Sequence, residues 1–140
     1  EIEILEGKTG AITLIEKIIQ AKEDIYWLGS LDTMLKVVDE EKFFKLITWR
    51  RMDQKTTSYA ITDRSILENK KLGEKMGDFR QYRFLNKPFE IPALVVLFGQ
   101  NVGLVRVESK KTKIILVRDQ TIHGIVKFMF DTMWQTLPAN

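Results

Sequence analysis

Residues 91–109 of the chain read IPALVVLFGQNVGLVRVES, two apolar runs separated by the polar turn Gly99-Gln100-Asn101. Valine, isoleucine, leucine and phenylalanine dominate both runs, and such side chains fit the pleated surface of a sheet. A short turn that contains glycine between two apolar runs predicts a β-hairpin. Strands of this kind either lead to an active site or only build a core, and the surrounding sequence has to decide between the two.

Upstream of this hairpin, strand-like and helix-like segments alternate. Clusters of β-branched and aromatic residues predict strands over 1–5, 24–30 and 56–63. Apolar residues at helical spacing predict a helix over 7–23, and 31–38 could be a short helix. A capping aspartate, acidic residues in the first turn and arginines near the end predict a helix over 39–55. Because helical connections join parallel strands, this half predicts right-handed parallel crossovers.

Downstream of residue 78, the segments 79–85 and 112–118 are predicted as strands, and residues 119–137 as a closing helix. Short connections between the strands favour antiparallel pairing. The closing helix has an apolar stripe formed by Ile122, Ile125, Val126, Met129, Phe130, Met133 and Leu137. Phe128 and Trp134 widen this stripe, so the helix is either part of the internal core or part of a dimer interface.

These elements predict an α/β fold with a mixed sheet flanked by helices on both faces, built as a single domain of residues 1–140. The 140 residues contain no cysteine, which excludes disulfides and thiolate-bound metals. No apolar run approaches the ~20 residues of a membrane helix, and the stretch EIEILEGKTG lacks the basic and apolar regions of a secretory signal, so we expect a cytoplasmic protein without a membrane partner.

The sequence contains no motif for metal or cofactor binding. It has one histidine, His123, and no HExxH, Walker A, GxGxxG or GxSxG pattern, so we expect neither metal nor cofactor. A lone histidine is usually incidental, because general acid–base catalysis also needs a partner group and a pocket. A hydrolase that relies on Asp63 or His123 remains the alternative.

Two predicted strands end in residues that could bind a ligand. Gly29 and Ser30 end one strand, and Asp63 and Arg64 end the next. In open α/β sheets, ligands bind at the carboxyl ends of parallel strands, near free backbone N–H groups. The sequence therefore predicts a site for an anion or a sugar where these four residues converge, covered by the loop 73–77. The alternative is that they only turn the chain and cap helices.

Charge is concentrated in residues 64–87. Seven basic residues against three acidic ones give this stretch a net charge of +4, whereas the whole chain carries +3. The basic residues are Arg64, Lys70, Lys71, Lys75, Arg80, Arg83 and Lys87. Phe79, Tyr82 and Phe84 lie among them, which is compatible with nucleic-acid contact, or with a solvated face whose aromatic side chains point into the core.

Three stretches resemble the effector domain of TrmB-family transcriptional regulators. These are EIEILEGKTGAITLIEKIIQAKEDIYWLGS at 1–30, FFKLITWRRMDQKTTSYAIT at 43–62 and FEIPALVVLFGQNVGLV at 89–105, and the closing helix with Phe130 and Trp134 also fits. The sequence departs from the family pattern in DQKTT, where a glycine turn is common. The chain is also too short for the extra C-terminal subdomain of the sugar-binding members.

The resemblance implies a phospholipase-D-like fold without catalysis, a homodimer, and DNA binding through an upstream winged helix-turn-helix domain. We interpret the start of the chain at Glu1, directly before a strand, as a cut close to that domain boundary. Phospholipase-D-like enzymes carry His-x-Lys-x4-Asp along the hairpin. If Gly99 takes the aspartate position, the other two fall on Pro92 and Leu94, and none of the three can do this chemistry. We therefore expect a non-catalytic effector-sensing and dimerisation domain.

Overall fold

Within the residues that the computed structural model describes (1–30, 32, 33, 36, 44–65 and 80–138), seven strands form one mixed sheet. The strands are β1 (Ile2–Glu6), β2 (Ile25–Gly29), β3 (Ser58–Thr62), β4 (Arg80–Phe84), β5 (Ala93–Phe98), β6 (Asn101–Glu108) and β7 (Lys111–Arg118). The helices are α1 (Gly7–Ala21), α2 (Arg50–Gln54), which continues a π-helical segment Phe44–Trp49, and α3 (Gln120–Thr136).

The sheet order is β1-β7-β6-β5-β2-β3-β4. The strands β2, β3 and β4 are parallel neighbours, whereas β5, β6, β7 and β1 are joined by antiparallel pairs, and β5 also pairs antiparallel with β2. The predicted mixed sheet is therefore confirmed. Two placements differ from the prediction. The strand β4 belongs to the parallel half, and β1 pairs with β7 at the far edge of the sheet.

The reason for the first difference is the route of the chain after β4. Residues 85–92 carry it back past the carboxyl ends of β3 and β2, so that β5 pairs with β2 and not with β4. Backbone hydrogen bonds hold this passage: Leu85 N–H donates to the Thr62 oxygen at 2.8 Å, and Ser30 N–H donates to the Ala93 oxygen at 3.2 Å. A short connection therefore does not require its two strands to be neighbours.

The hairpin at 91–109 lies in the middle of the core. Its two strands pair from Ala93–Arg106 to Phe98–Asn101, and Gly99 takes a positive φ of 55° in the turn, where glycine is favoured. Leu94, Val96 and Val105 are at most 1% exposed. They pack with Leu14 and Ile18 of α1 in one apolar cluster. The hairpin therefore forms the central core of the sheet.

Helices cover both faces of the sheet, as predicted. One face packs against α1 through its apolar residues. The other face packs against α3, where Phe130 is buried beside Ile61 and Leu97. The Asp119 side chain caps α3 by accepting a hydrogen bond from Ile122 N–H at 2.9 Å. The predicted helix 31–38 and the loop 73–77 lie largely or wholly outside the described residues.

Candidate ligand site at the carboxyl ends of the parallel strands

A pocket of about 430 Å³ opens where β3 ends and the returning segment 85–92 crosses it. Its walls are formed by Asp63, Arg64, Ser65, Leu85, Asn86, Lys87 and Pro88. Two of the four predicted ligand residues, Asp63 and Arg64, thus share one pocket. Asn86 and Lys87 also line it. Their position follows from the return of the chain after β4, which no local pattern in the sequence indicates.

Asp63 organises the wall of this pocket. Its Oδ1 accepts hydrogen bonds from the N–H and the hydroxyl of Ser65, and its Oδ2 accepts one from Phe89 N–H at 2.7 Å. Burial alone would raise the pKa of the Asp63 carboxyl, but these three hydrogen bonds outweigh it and hold the pKa below its ordinary value. The carboxylate stays charged at neutral pH and fixes the segment 85–92 against the end of β3.

Arg64 and Lys87 give the pocket its positive charge. The guanidinium carbon of Arg64 lies 5.2 Å from the centre of the Phe84 ring, a cation–π distance, and its side chain is otherwise exposed. Lys87 is also exposed. Because the Asp63 oxygens accept hydrogen bonds from Ser65 and Phe89, Arg64 and Lys87 are the charged groups most accessible to a ligand here. This chemistry suits an anion or a phosphorylated sugar.

Gly29 and Ser30 lie at the end of the neighbouring strand β2 but do not line this pocket. Gly29 has a φ of 129°, and a Cβ atom there would lie 2.7 Å from the Ala93 oxygen and 2.9 Å from the Leu94 Cα. Ser30 N–H donates to the same Ala93 oxygen. The pair therefore makes the close junction between β2 and β5, and the half-buried Ser30 lies one strand away from Arg64.

Pro92, Leu94 and Gly99, which the sequence assigns to the motif positions, serve the backbone and the core. Pro92 accepts a hydrogen bond from Val107 N–H through its backbone oxygen at 3.1 Å, and Leu94 is 1% exposed in the core. Gly99 turns the chain at the other end of β5. Of these three side chains, none carries a nucleophile or a charge.

His123 lies far from Asp63. It lines a separate pocket of about 440 Å³ with Glu23, Asp24, Gly99 and Lys127, at the end of the sheet where β2 begins. Burial lowers the pKa of His123, and the Lys127 ammonium lowers it further, against the opposing effect of Glu23. Asp63 follows the carboxyl end of β3, so a five-residue strand, about 17 Å long, separates the two residues.

The described cations of the basic stretch divide into two groups. Arg83 donates to the backbone oxygens of Trp134 and Leu137 at the end of α3, and its guanidinium lies 4.9 Å from the Trp134 ring centre. Arg80 donates to the Thr48 hydroxyl. Arg64 and Lys87 face the pocket instead. The remaining cations of this stretch, Lys70, Lys71 and Lys75, lie outside the described residues.

Within the described part of the chain, no group of three histidine, cysteine or acidic side chains is arranged to hold a metal ion. In this part of the chain, no helix has the length and apolar character needed to cross a membrane.

No protein-family model and no curated protein sequence matches this chain. Solved structures do. TrmBL2, described as an archaeal chromatin protein with a novel mode of DNA binding, superposes with a TM-score of 0.67 at 13% identity over 99% of this chain and 54% of TrmBL2. The chain thus spans about half the length of that protein.

Two further structures match over nearly their whole length. NucT from Helicobacter pylori has a TM-score of 0.74 at 13% identity and covers 100% of both chains. Nuc from Salmonella typhimurium, a phospholipase D family member, has a TM-score of 0.66 at 9% identity over 100% of this chain and 97% of Nuc. The chain therefore has a phospholipase-D-like fold. Likeness at this identity establishes the fold and leaves the function to the site.

Proposed function

We propose that the chain is a non-catalytic effector-sensing and dimerisation module of a TrmB-like, DNA-binding transcriptional regulator. The observation that carries the proposal is the hairpin itself. If Gly99 takes the aspartate position of phospholipase-D-like enzymes, Pro92 and Leu94 take those of histidine and lysine. A one-residue slip either way brings in only Ile91, Ala93, Val95, Phe98 or Gln100, which cannot do this chemistry either. The similarity to TrmBL2 over 99% of this chain supports a role beside DNA. DNA contact would come from an upstream domain, and the protein would act in the cytoplasm as a homodimer.

The effector site is the pocket beside Asp63 and Arg64. Arg64 and Lys87 would bind an anionic group, and Asp63 would keep the segment 85–92 in place beneath it. The Ser30 hydroxyl and the backbone at Gly29, at the end of the adjacent strand, would extend the site toward the sugar of a larger effector. Binding would bias the relative geometry of the two subunits, and through them the DNA-binding domains.

Isothermal titration tests this assignment. The chain is titrated with inorganic phosphate, a sugar phosphate, a nucleoside monophosphate and a neutral disaccharide, and we expect saturable binding of a phosphorylated compound. The variants R64A and K87Q should weaken that binding by about tenfold or more, because each removes one charge-assisted contact. K8Q is the matched control, since Lys8 is an exposed cation on α1, outside the pocket.

The variant Ser30→Ala separates two versions of the site. A loss of affinity for the sugar phosphate, with phosphate binding unchanged, places the sugar beside Ser30. An unchanged affinity for both confines the site to the pocket residues. If none of the four compounds binds, or if K8Q weakens binding as much as R64A, the effector assignment is wrong.

A diverged phosphodiesterase-like hydrolase is the second candidate, favoured by the match to NucT over the full length of both chains. Asp63 and His123 lie at opposite ends of the parallel strands β2 and β3, so they cannot act on one phosphorus atom together, and either would need other partners. Turnover of bis(p-nitrophenyl) phosphate that disappears in D63N or H123A would support hydrolysis. Turnover that both variants keep would point to a contaminant.

Nucleic-acid contact through residues 64–87 is the third candidate. Of its described cations, Arg83 and Arg80 bind other parts of the fold, which leaves Arg64 and Lys87 at the surface. Two cations give a shallow dependence of binding on salt. A gel shift of duplex or single-stranded DNA by this chain alone, with a steep salt dependence, would favour direct contact over an upstream domain.

A further inference from the structure

Among the described elements, α3 covers only half of its face of the sheet. Opposite residues on paired strands share a face. The pairs Ile4–Ile115, Ile115–Leu104 and Leu104–Val95 therefore extend a row that reaches Leu28, which packs beneath α3. A second row runs from Ile2 through Val117 to Val102 in the same way. Away from α3 these rows run over β6, β7 and β1, and Leu104 of β6 and Ile2 and Ile4 of β1 are exposed.

The helix that covers the other half also has an exposed apolar flank. On one flank of α3, Lys127 lies over the Tyr26 ring at 4.3 Å, and Trp134 lies against Tyr59. At 100° per residue, Ile122 and Met129 lie on the opposite flank, which faces β6 and β7. Ile125 and Phe128 lie beside them toward the outer side of the helix, and all four are exposed.

The bare strands and the helix flank together form one apolar surface. It consists of a floor (Ile2, Ile4, Leu104) and a ridge (Ile122, Ile125, Phe128, Met129), whose side chains are between 38% and 73% exposed. With about 200 Å² for a fully exposed large apolar side chain, they present about 800 Å². The largest apolar patch on a typical monomer is about 300–600 Å². A standard interface buries about 800 Å² on each partner, so the surface has the size of one dimer contact.

We propose that a second copy of this chain covers this surface in an isologous dimer. A two-fold interface places the same patch on both partners, so it must be self-complementary. A ridge beside a floor meets this condition, because the α3 ridge of each copy can lie on the β6-β7-β1 floor of the other. Each helix then covers the half of the partner's sheet that the partner's own α3 leaves open.

Charges at the end of the floor fit the same arrangement. Glu6 pairs in register with Lys113, and Lys113 with Arg106, so a carboxylate and two cations lie on this face beside the apolar rows. A rim with both signs lets a carboxylate of one copy meet a cation of the other, and its polar character is typical of interface rims. The inference rests on the homodimer of the proposed function and names its surface, but it does not require the effector pocket.

Sedimentation equilibrium over a range of concentrations, from about 0.1 to 100 μM, measures the association. We expect the wild-type chain to be a dimer and the variant I125E to dissociate at least about tenfold more readily, because it places a charge in a desolvated contact. I91E is the matched control: Ile91 is 61% exposed, close to the 57% of Ile125, but lies outside the ridge and the floor. Thermal melting at low concentration checks that all variants fold.

A mixed sample tests the ridge-on-floor arrangement itself. I125E places a negative charge on the ridge and I4K a positive charge on the floor, so each variant alone should be largely monomeric. Their equimolar mixture should form a heterodimer, in which one contact is native and the other joins opposite charges. A mixture that stays monomeric overturns this arrangement.

These experiments separate a failure of the proposed surface from a failure of the proposed homodimer. A wild-type chain that stays monomeric at 100 μM overturns both the surface and the homodimer, whereas the titration of the effector pocket is unaffected. A wild-type dimer that I125E and I4K leave intact keeps the homodimer of the proposed function and overturns this surface.

Discussion

The two faces of the sheet are covered by helices of similar sequence character but very different burial. Both α1 and α3 have apolar residues at helical spacing. Six residues of α1 are buried, among them Leu14, Ile15 and Ile18, whereas Phe130 is the buried residue of α3. An apolar stripe therefore shows which side of a helix avoids water, but not whether the same chain supplies all of the cover.

The largest expected effect concerns Phe130, the buried residue of α3. Phe130 is 4% exposed and contacts the Tyr26 and Trp134 rings, whereas Phe128, two residues earlier on the same helix, is 73% exposed. We expect F130A to lower the free energy of unfolding by about 4 kcal/mol, and F128A by less than about 0.5 kcal/mol. Urea titration at low protein concentration measures both. Similar losses in the two variants would contradict the contrast within α3.

The second effect compares the two helices through one residue type. Ile15 of α1 is fully buried, and Ile125 of α3 is 57% exposed. I15A should cost about 3 kcal/mol, because it removes buried methyl groups and leaves a cavity. I125A should cost little in dilute solution, and its effect should grow with protein concentration if the ridge is a dimer contact. A large, concentration-independent loss in I125A would mean that the two helices are equally buried.

The part of the fold that could be predicted from the sequence is the part set by local pattern. The hairpin, α1, α3 and the parallel arrangement of β2 and β3 all follow from periodicity and connection type. The position of β4 does not, because the return of residues 85–92 depends on contacts such as the one from Phe89 N–H to Asp63, which are 26 positions apart. Long-range pairing of this kind leaves no local signal.

In the candidate site, too, some residues could be predicted from local pattern, whereas others are placed by long-range contacts. Asp63 and Arg64 could be found because they end a predicted strand, and strand ends are where α/β sheets bind ligands. Asn86 and Lys87 could not, since their position depends on the same returning segment. Gly29 also ends a strand, but its strict requirement for glycine comes from the approach of the Ala93 oxygen on β5. A glycine that ends a strand at a ligand site and one that allows a close approach of another strand look the same in the sequence.

A third effect compares the packing of the two faces through their glycines. Gly103 of β6 lies under α1, where a Cβ atom would be 2.9 Å from Val96 Cγ1, whereas nothing lies within 4 Å of one at Gly124 in α3. G103A should cost about 2 kcal/mol, because it overpacks a filled core. G124A should stabilise the protein by about 0.8 kcal/mol, since alanine favours a helix over glycine. Thermal melting of both variants would show opposite shifts, and a stable G103A would mean that the α1 face has room to spare.

The smallest effect concerns the carboxyl end of β3, between the two faces, where Asp63 holds the segment 85–92. The pKa of its carboxyl is lower in the folded protein than its ordinary value, so the folded state favours the charged form. Its contribution to stability is present above the ordinary pKa of about 4 and is lost as the pH falls through the lower folded value. We expect D63N to lower the free energy of unfolding by about 1 kcal/mol at pH 7, because the amide cannot accept all three hydrogen bonds. The difference in stability from the wild type should close below about pH 4.

D53N is the control, since Asp53 is an exposed carboxylate of α2. Urea unfolding of the three proteins between about pH 3 and 7 makes the comparison. A gap between D63N and the wild type that stays constant over this range would mean that Asp63 acts through its shape alone, and not through its charge.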